Sequence, residues 1–432
     1  MTLMIATLLL GITVLHIGGR LTKRAGAPEA SGFGIALCLL ALAFALLSSD
    51  WRAWLAGGEA GDQLLAYTRT AGVAGLLFLA GTRFNAQARR EAWRVPLFTA
   101  VAGAALLVVI AVLLIAFTGV EPGVAVLLGA SVAASSPWIQ SELSASSKGE
   151  ARGAAFNSAL LMSILGVSLI HFMAIFHALG GKKLTFSAYL VVALYESVKA
   201  AVFFAAAYFV ALRFIKRAAG RVPMTRMAVA YLLISTLFFL LAASAISQPA
   251  ALAWVFMAGA VWRRTEAGRK FGESYQPIAL ATLAAAAFLP PLLQAHGRTM
   301  KNWPTLLAVV IAALALKFGV MWSGAKLAGL RGGEARKVAA ALLSPGEVAI
   351  VLLGFAVTGW AVEGPAYYGL IAFTLLALAI GPAIERSIAR QAGDASSSRA
   401  ALPGRTGRKK ARSHMSHRRR QAPGQEKRLL SW

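Results

Sequence analysis

Hydrophobic residues run in long stretches along this chain, and short polar segments separate them. Most stretches have the length that an α-helix needs to cross a bilayer core of about 30 Å. The pattern predicts an all-α polytopic membrane protein with about thirteen transmembrane helices. The predicted spans are residues 3–19, 33–48, 64–82, 95–117, 122–140, 153–177, 185–212, 225–244, 248–263, 274–295, 303–325, 337–359 and 365–385.

Two of the stretches carry the same kind of interruption, and they lie in opposite halves of the chain. Ser135, Ser136 and Pro137 interrupt the first, and Ser344, Pro345, Gly346 and Glu347 interrupt the second. Proline removes a backbone donor and clashes with the preceding turn, so each break frees backbone groups. In lipid such groups are tolerated only where they line a cavity or contact protein. Paired interrupted helices are the sequence signal of a transporter's binding site, with Pro137, Pro345 and Gly346 at the breaks.

Basic residues alternate between the predicted loops. One set of alternate loops holds 22 lysines and arginines and the other set holds 5. Cytoplasmic loops of membrane proteins carry such an excess. The alternation supports the span count and predicts an outside N-terminus and a cytoplasmic C-terminus.

Composition narrows the class of protein further. Hydrophobic residues make up 58% of the chain and charged residues 14%, far from the average of soluble proteins. Cys38 is the only cysteine, which excludes an intrachain disulfide and a cysteine-based metal site. The chain contains no GxGxxG opening a helix, no P-loop and no HExxH. A soluble nucleotide enzyme is therefore not supported, and no cofactor is expected.

The net charge of +26 is partly concentrated at the C-terminus. Thirteen of the 43 lysines and arginines lie from Arg386 onward, in a segment without an apolar period. Such a segment cannot bury enough surface to offset its ordering entropy. We therefore predict a membrane domain over 1–386 and a basic, disordered cytoplasmic tail over 387–432. Attraction to anionic lipid is the favoured role of the tail, ahead of nucleic acid or a protein partner.

Ionisable residues at membrane depth are candidates for function, because burying a charge there is costly. Lys317 lies in the middle of span 303–325. It is either a structural lysine bonded to the carbonyls of a broken helix or a group that couples protons or ions. Glu347 follows the second break and either caps it or binds an ion. Glu196 and Lys199 are three residues apart and are expected to pair on one helix face.

Hydroxyl groups cluster around the first break at Ser131, Ser135 and Ser136. Hydroxyl and carbonyl oxygens suit small monovalent cations. Serines also commonly bond back to their own helix in apolar segments, so serine alone is weak evidence.

At these residues the chain resembles the cation:proton antiporters of the monovalent cation:proton antiporter-2 type, which have the sodium/proton exchanger domain. The similarity covers most of 1–385. It rests on four segments: Gly75–Gly81, the stretch from Gly129 to Pro137, Lys317 to Gly319, and Leu343 to Glu347. When they occur in this order over thirteen spans, the four segments together are fairly specific for this family.

The resemblance implies inverted repeats, two discontinuous helices that cross at mid-membrane, a homodimer, and exchange by alternating access. It also implies a carboxylate on the sixth span that binds proton and cation in turn, beside the buried lysine. Ser163 stands where that aspartate is expected, and no Asp or Glu occurs between Gly153 and Tyr195. Lys317 therefore lacks its usual counter-charge and is itself a candidate proton carrier.

The leading hypothesis is a secondary transporter in the cell's inner membrane that exchanges Na⁺ or K⁺ for protons. Its predicted pathway residues are Lys317, Glu347, Ser163, Ser135, Ser136 and Ser344. The alternative is an antiporter fold without exchange, acting as a sensor, scaffold or leak, because the aspartate is missing. A membrane-embedded enzyme is the weakest hypothesis, since the scattered histidines offer no metal cluster and no nucleophile–base pair.

Overall fold

The structure is a computed structural model of the full chain. It describes residues 2–46, 58–83, 93–118, 120–140, 150–179, 248–263, 276–294, 303–346, 349, 350, 352 and 365–400, together with 187, 188, 191, 192, 194–199, 202, 205, 209, 213 and 217. All regular structure in these residues is helical, which confirms the all-α prediction.

Eleven helices have defined bounds within the described part of the chain. They are α1 (Thr2–Arg24), α2 (Glu29–Leu46), α3 (Gly58–Arg83), α4 (Arg94–Thr118), α5 (Pro122–Ala133), α6 (Glu150–Leu179), α7 (Gln248–Trp262), α8 (Gln276–Gln294), α9 (Trp303–Leu327), α10 (Gly332–Ala341) and α11 (Pro365–Ala400).

Six helical segments among the described residues are long and apolar enough to cross a membrane. They are Ile5–Arg24, Gln63–Thr82, Arg94–Phe117, Pro122–Gln140, Leu307–Leu327 and Tyr368–Ile388. Three shorter apolar helices, Glu29–Phe44, Gly153–Gly166 and Ala279–Leu293, lie beside them. The predicted span 225–244 lies outside the described residues, so the count of thirteen stays a prediction, as do the inverted repeats.

The helices pack in two groups. In one, α3 packs against α7 and α8, and α1 packs against α2 and α8. In the other, α4 packs against α5, α6 and α9, and α10 packs against α6 and α9. Buried apolar side chains form two clusters, and α5, α6 and α9 contribute to both. The interrupted segment that begins with α5 therefore lies where the two apolar clusters meet.

Glycines allow some of these helices to approach closely. A Cβ at Gly81 of α3 would collide with the carbonyl oxygen of Phe256 in α7, and a Cβ at Gly259 of α7 would collide with the carbonyl oxygen of Phe78 in α3. The hydrophobic effect does not drive helices together inside lipid, so association depends on close packing of small residues. This reciprocal pair fixes the α3–α7 contact.

The last helix, α11, continues to Ala400, beyond the predicted end of the membrane domain at 386. By its internal contacts the chain divides into a unit over residues 1–390 and a segment over 391–432. The described residues of that segment, 391–400, are helical. The disordered tail over 387–432 stays a prediction, and most of it lies outside the described residues.

Candidate functional site

The first break interrupts the segment Pro122–Gln140 after α5. Ala134 caps α5 and leaves the helical conformation, with φ −55° and ψ 147°. The chain is non-helical through Ser136 and helical again over 137–140. The Ser136 hydroxyl accepts the backbone N–H of Ile139 at 3.1 Å, so Ser136 caps the new half-helix with Pro137 in its first position.

The second break follows α10. Leu342 and Leu343 form a turn, Ser344 and Pro345 are non-helical, and Gly346 has a positive φ of 73°. Residues other than glycine rarely adopt that conformation. A Cβ at Gly346 would also collide with the Cα and Cβ atoms of Ser136. Glycine is therefore required here both by the backbone and by the close approach of the first break.

The two breaks cross and satisfy each other's freed backbone groups. The backbone N–H of Ser136 donates to the carbonyl oxygen of Ser344 at 3.0 Å. The Ser135 hydroxyl donates to the carbonyl oxygen of Leu342 at 2.7 Å. The side-chain amide of Gln140 donates to the carbonyl oxygen of Ala341. All six residues are buried, so these bonds take the place of the missing helical hydrogen bonds where water does not reach.

Lys317 of α9 lies beside the crossing. Its side chain is fully buried, and its Nζ donates to the carbonyl oxygen of Ala134 at 2.5 Å. The ring centroid of Phe373 in α11 is 5.9 Å from the same nitrogen. Ala134 ends α5, where the helix dipole leaves partial negative charge, so the ammonium is attracted to this position. An ammonium has three donors, and the carbonyl of Ala134 accepts one of them.

Ser163 of α6 also contacts the first break. It is 5% exposed, and its hydroxyl donates to the carbonyl oxygen of Ser135 at 3.1 Å. Lys317 and Ser163 thus bind two consecutive carbonyls of one interrupted helix. The replacement of the implied carboxylate by Ser163 stays a prediction.

Helix α11 forms a further wall of the crossing. The Ser344 hydroxyl donates to the carbonyl oxygen of Ala377 at 3.2 Å, and Gly381 leaves room for that hydroxyl. The sequence did not single out Ala377 or Gln140. Gln140 carries a detectable signal, because it is a polar amide at the end of an apolar span. Ala377 carries none, because its contribution is a backbone carbonyl.

The other predicted residues bond locally or lie outside the described part of the chain. Glu347 lies outside the described residues. Ser131 bonds back to the carbonyl oxygen of Leu127 in its own helix at 2.8 Å. Glu196 and Lys199 form the expected ion pair, with side chains that are partly exposed.

The crossing offers neutral oxygen ligands. Hydroxyls of Ser135, Ser136, Ser163 and Ser344 and the carbonyls around them lie together, and hard monovalent cations favour oxygen. The described residues include no group of three or more His, Cys, Asp or Glu that could hold a metal ion. We therefore regard the described pathway residues, Lys317, Ser135, Ser136, Ser163 and Ser344, as a candidate transit site, and their functional roles stay predictions.

Two interrupted helices that cross within a bundle of apolar helices, with a buried lysine beside them, are typical of a secondary transporter rather than an enzyme. The chain belongs to the sodium/hydrogen exchanger family. The family model described as "Sodium/hydrogen exchanger, transmembrane" matches residues 5–386. The resemblance inferred from the sequence motifs is thereby confirmed at the level of the family.

Solved structures share the fold. The structure of the sodium proton antiporter MjNhaP1 from Methanocaldococcus jannaschii at pH 8 matches with a TM-score of 0.61 and 14% identity, covering 93% of this chain and 99% of that one. An electron-microscopy structure of the same antiporter matches with a TM-score of 0.63 and 14% identity, covering 94% and 99%. At this identity the likeness concerns the fold alone. No curated protein sequence matches the chain significantly.

Proposed function

We propose that this protein is a secondary transporter that exchanges a monovalent cation, Na⁺ or K⁺, for protons by alternating access. Membership of the sodium/hydrogen exchanger family supports exchange of a cation for protons. The similar structures are of a sodium proton antiporter, which favours Na⁺. The choice between Na⁺ and K⁺ is part of the proposal.

The observation that carries the proposal is the bond from Lys317 Nζ to the carbonyl oxygen of Ala134. A protonated lysine is a tethered cation that occupies oxygens a free cation would use. When Lys317 gives up its proton, those oxygens become available to Na⁺ or K⁺. When it takes a proton again, the ammonium competes with the ion for the same oxygens. The two ligands thus exclude each other, which couples cation transport to proton transport without a carboxylate on the sixth span.

Membrane placement and partners complete the proposal. The alternation of basic loops supports an inner-membrane protein with its N-terminus outside and its C-terminus in the cytoplasm. A homodimer follows from the family resemblance. The basic residues from Arg386 onward support contact of the tail with anionic lipid.

Cation-dependent proton flux in proteoliposomes tests the proposal. With a pH gradient imposed across the vesicles, addition of Na⁺ or K⁺ should dissipate the gradient, and addition of choline should not. Lys317→Ala should lose this flux. Lys326→Ala is the matched control, because Lys326 lies on the same helix, is exposed, and stacks on Trp322 at 4.1 Å. Flux unchanged by Lys317→Ala would remove the lysine from the mechanism.

One observation favours the alternative of an antiporter fold without exchange. Ser163, which donates to the Ser135 carbonyl, cannot carry a proton at ordinary pH. If the protein is a sensor, scaffold or leak, wild-type vesicles should be silent towards Na⁺ and K⁺. Robust exchange by the wild type excludes this alternative.

A further inference from the structure

Helix α11 carries a buried ionisable side chain that the proposed exchange has not used. Glu385 is 2% exposed and lies within the apolar segment Tyr368–Ile388. Lys317 and Glu385 are the two ionisable side chains that are fully buried in the described part of the chain. A carboxylate at membrane depth is costly to bury, and proteins that keep one generally use it.

Glu385 continues a stripe of α11 whose earlier residues contact the crossing. Residues four apart lie above one another on a helix. The stripe contains Phe373, Ala377, Gly381 and Glu385. Phe373 contacts the ammonium of Lys317, and the next two residues contact Ser344. The first three residues of the stripe therefore contact Lys317 or Ser344, and Glu385 lies one turn beyond Gly381, rotated by about 40° around the helix.

The carboxylate lies one turn from the second break. Glu385 follows Gly381 by four residues, which is about 6 Å along the helix axis. Helical side chains lean towards the N-terminal end of their own helix. The Glu385 carboxylate is thereby directed back to the level of Gly381, where a Cβ would lie 2.5 Å from the Ser344 hydroxyl.

The backbone of α11 supplies a further oxygen on this stretch. Pro382 lies inside the helix and has no N–H, so the carbonyl of Leu378 lacks its usual intrahelical donor. Gly34 of α2 packs against this point, and a Cβ there would collide with the carbonyl carbon of Leu378 and the backbone of Ala379. The interrupted turn of α11 therefore lies one turn before Glu385, at the contact with α2.

Other charged groups lie at the start of α2, which packs against α11 at Gly34, in α1 and α10, and beside Glu385 itself. They are Lys23 and Glu29 near the α1–α2 turn, Glu334, Arg336 and Lys337 at the start of α10, and the neighbouring Arg386. Lys23 and Glu29 already form an ion pair at 2.9 Å, and Glu334 and Arg336 are exposed to solvent. Among the carboxylates of this set, Glu385 is the one that is removed from water.

We propose that Glu385 is the proton- and cation-exchanging carboxylate on the cytoplasmic side of the crossing, connected to Ser344 and Lys317 along the α11 stripe. Protonated Glu385 releases its proton to cytoplasmic water, and the carboxylate then accepts Na⁺ or K⁺, so the charge at the site is unchanged. The reverse step restores the acid. This proposal rests on the exchange function proposed above. It assigns the role of the exchanging carboxylate to α11, whereas the resemblance implies a carboxylate on the helix that carries Ser163.

Transport assays of the full-length protein form the first test. Glu385→Gln should lower cation-dependent proton flux by about a hundredfold, the scale expected when a proton-transferring group is lost. It should also flatten the pH dependence of the flux that remains, whereas Glu385→Asp should keep a pH-dependent flux. Glu334→Gln is the matched control, because it removes an exposed carboxylate from the same side, and it should leave flux and pH profile unchanged. A wild-type pH profile in Glu385→Gln would overturn the proposal.

Infrared difference spectroscopy of the purified protein after a pH step is a second test that does not depend on transport. The wild type should show a band of a protonated carboxyl group that Glu385→Gln lacks and Glu334→Gln keeps. If the band is present and the wild-type vesicles are silent, the proposed exchange function is wrong, and the assignment of Glu385 as a proton-exchanging carboxylate is retained. If the spectra of wild type and Glu385→Gln are identical, the assignment of Glu385 is wrong whatever the vesicles do.

Discussion

The backbone N–H of Ser136 donates to the carbonyl oxygen of Ser344, 3.0 Å away, and this bond joins two interrupted helices from opposite halves of the chain. Each break frees backbone groups that lipid cannot satisfy, and each supplies the partner that the other lacks. The crossing is therefore stable only when both breaks form. This mutual dependence explains why the surrounding serines and Gly346 are buried.

Gly346 should be the least replaceable glycine of the described residues. Gly346→Ala places a side chain at φ 73°, where left-handed geometry costs about 1–2 kcal/mol. The new Cβ also collides with Ser136, and overpacking of this kind costs about 1–3 kcal/mol more. We expect a lower free energy of unfolding, measured by denaturation in detergent, and little exchange.

Gly329→Ala separates the cost of the backbone strain from the cost of the steric collision. Gly329 has φ 93°, but no atom lies within 4 Å of a Cβ built there. It should show the backbone strain without the collision. Equal losses of stability in the two variants would mean that the close approach of Ser136 to Gly346 does not exist.

The breaks could be predicted from sequence because proline and glycine act locally. A Ser-Pro pair cannot continue a helix regardless of its surroundings, so Pro137 and Pro345 marked both interruptions. The partners of the crossing depend on three-dimensional proximity instead. The bond from Ser344 to the Ala377 carbonyl and the approach of Lys317 to Ala134 involve backbone oxygens that every residue has. Buried Glu385 was missed because it lies beside Arg386, where the sequence resembles the polar end of a span.

Lys317→Met tests whether the lysine is kept for function or for structure. Replacing a buried charge by an apolar side chain of similar length is often neutral or stabilising, by about 1–4 kcal/mol, because the charge no longer has to be desolvated. A functional lysine should therefore give a variant that unfolds no more easily than the wild type and has lost exchange. Thermal unfolding in detergent and flux in vesicles measure the two properties.

A structural lysine predicts the opposite. If Lys317 is kept to bind the Ala134 carbonyl, leaving that acceptor unsatisfied should cost about 1–3 kcal/mol of stability. Lys326→Met removes an exposed lysine from the same helix and should change neither property. A destabilised Lys317→Met protein would favour the structural reading.

Ser135→Ala should weaken the crossing, because the Ser135 hydroxyl bonds across to the carbonyl of Leu342 at 2.7 Å. Loss of this bond leaves a buried acceptor and should cost about 1 kcal/mol in the free energy of unfolding, together with a lower rate of exchange. Ser131→Ala is the matched control from the same segment. Its hydroxyl bonds back to its own helix at Leu127, whose carbonyl keeps the intrahelical bond. If the two variants lose equal stability, the cross-helix bond has no special role.

Ser163→Asp tests what the serine does at the crossing. The Ser163 hydroxyl and the Lys317 ammonium bind the consecutive carbonyls of Ser135 and Ala134, so an aspartate at 163 places a carboxylate close to the buried ammonium. Opposite charges that lie close together stabilise each other's charged forms. We expect the variant to exchange Na⁺ or K⁺ for protons with a pH profile that differs from that of the wild type. If the wild type is silent, we expect the variant to gain exchange. Ser158→Asp is the control, because Ser158 is buried on the same helix and bonds back to Ala154 of that helix. A charge there should lower stability without any gain of exchange. If neither aspartate alters the flux or its pH dependence, position 163 does not contact the transported ions.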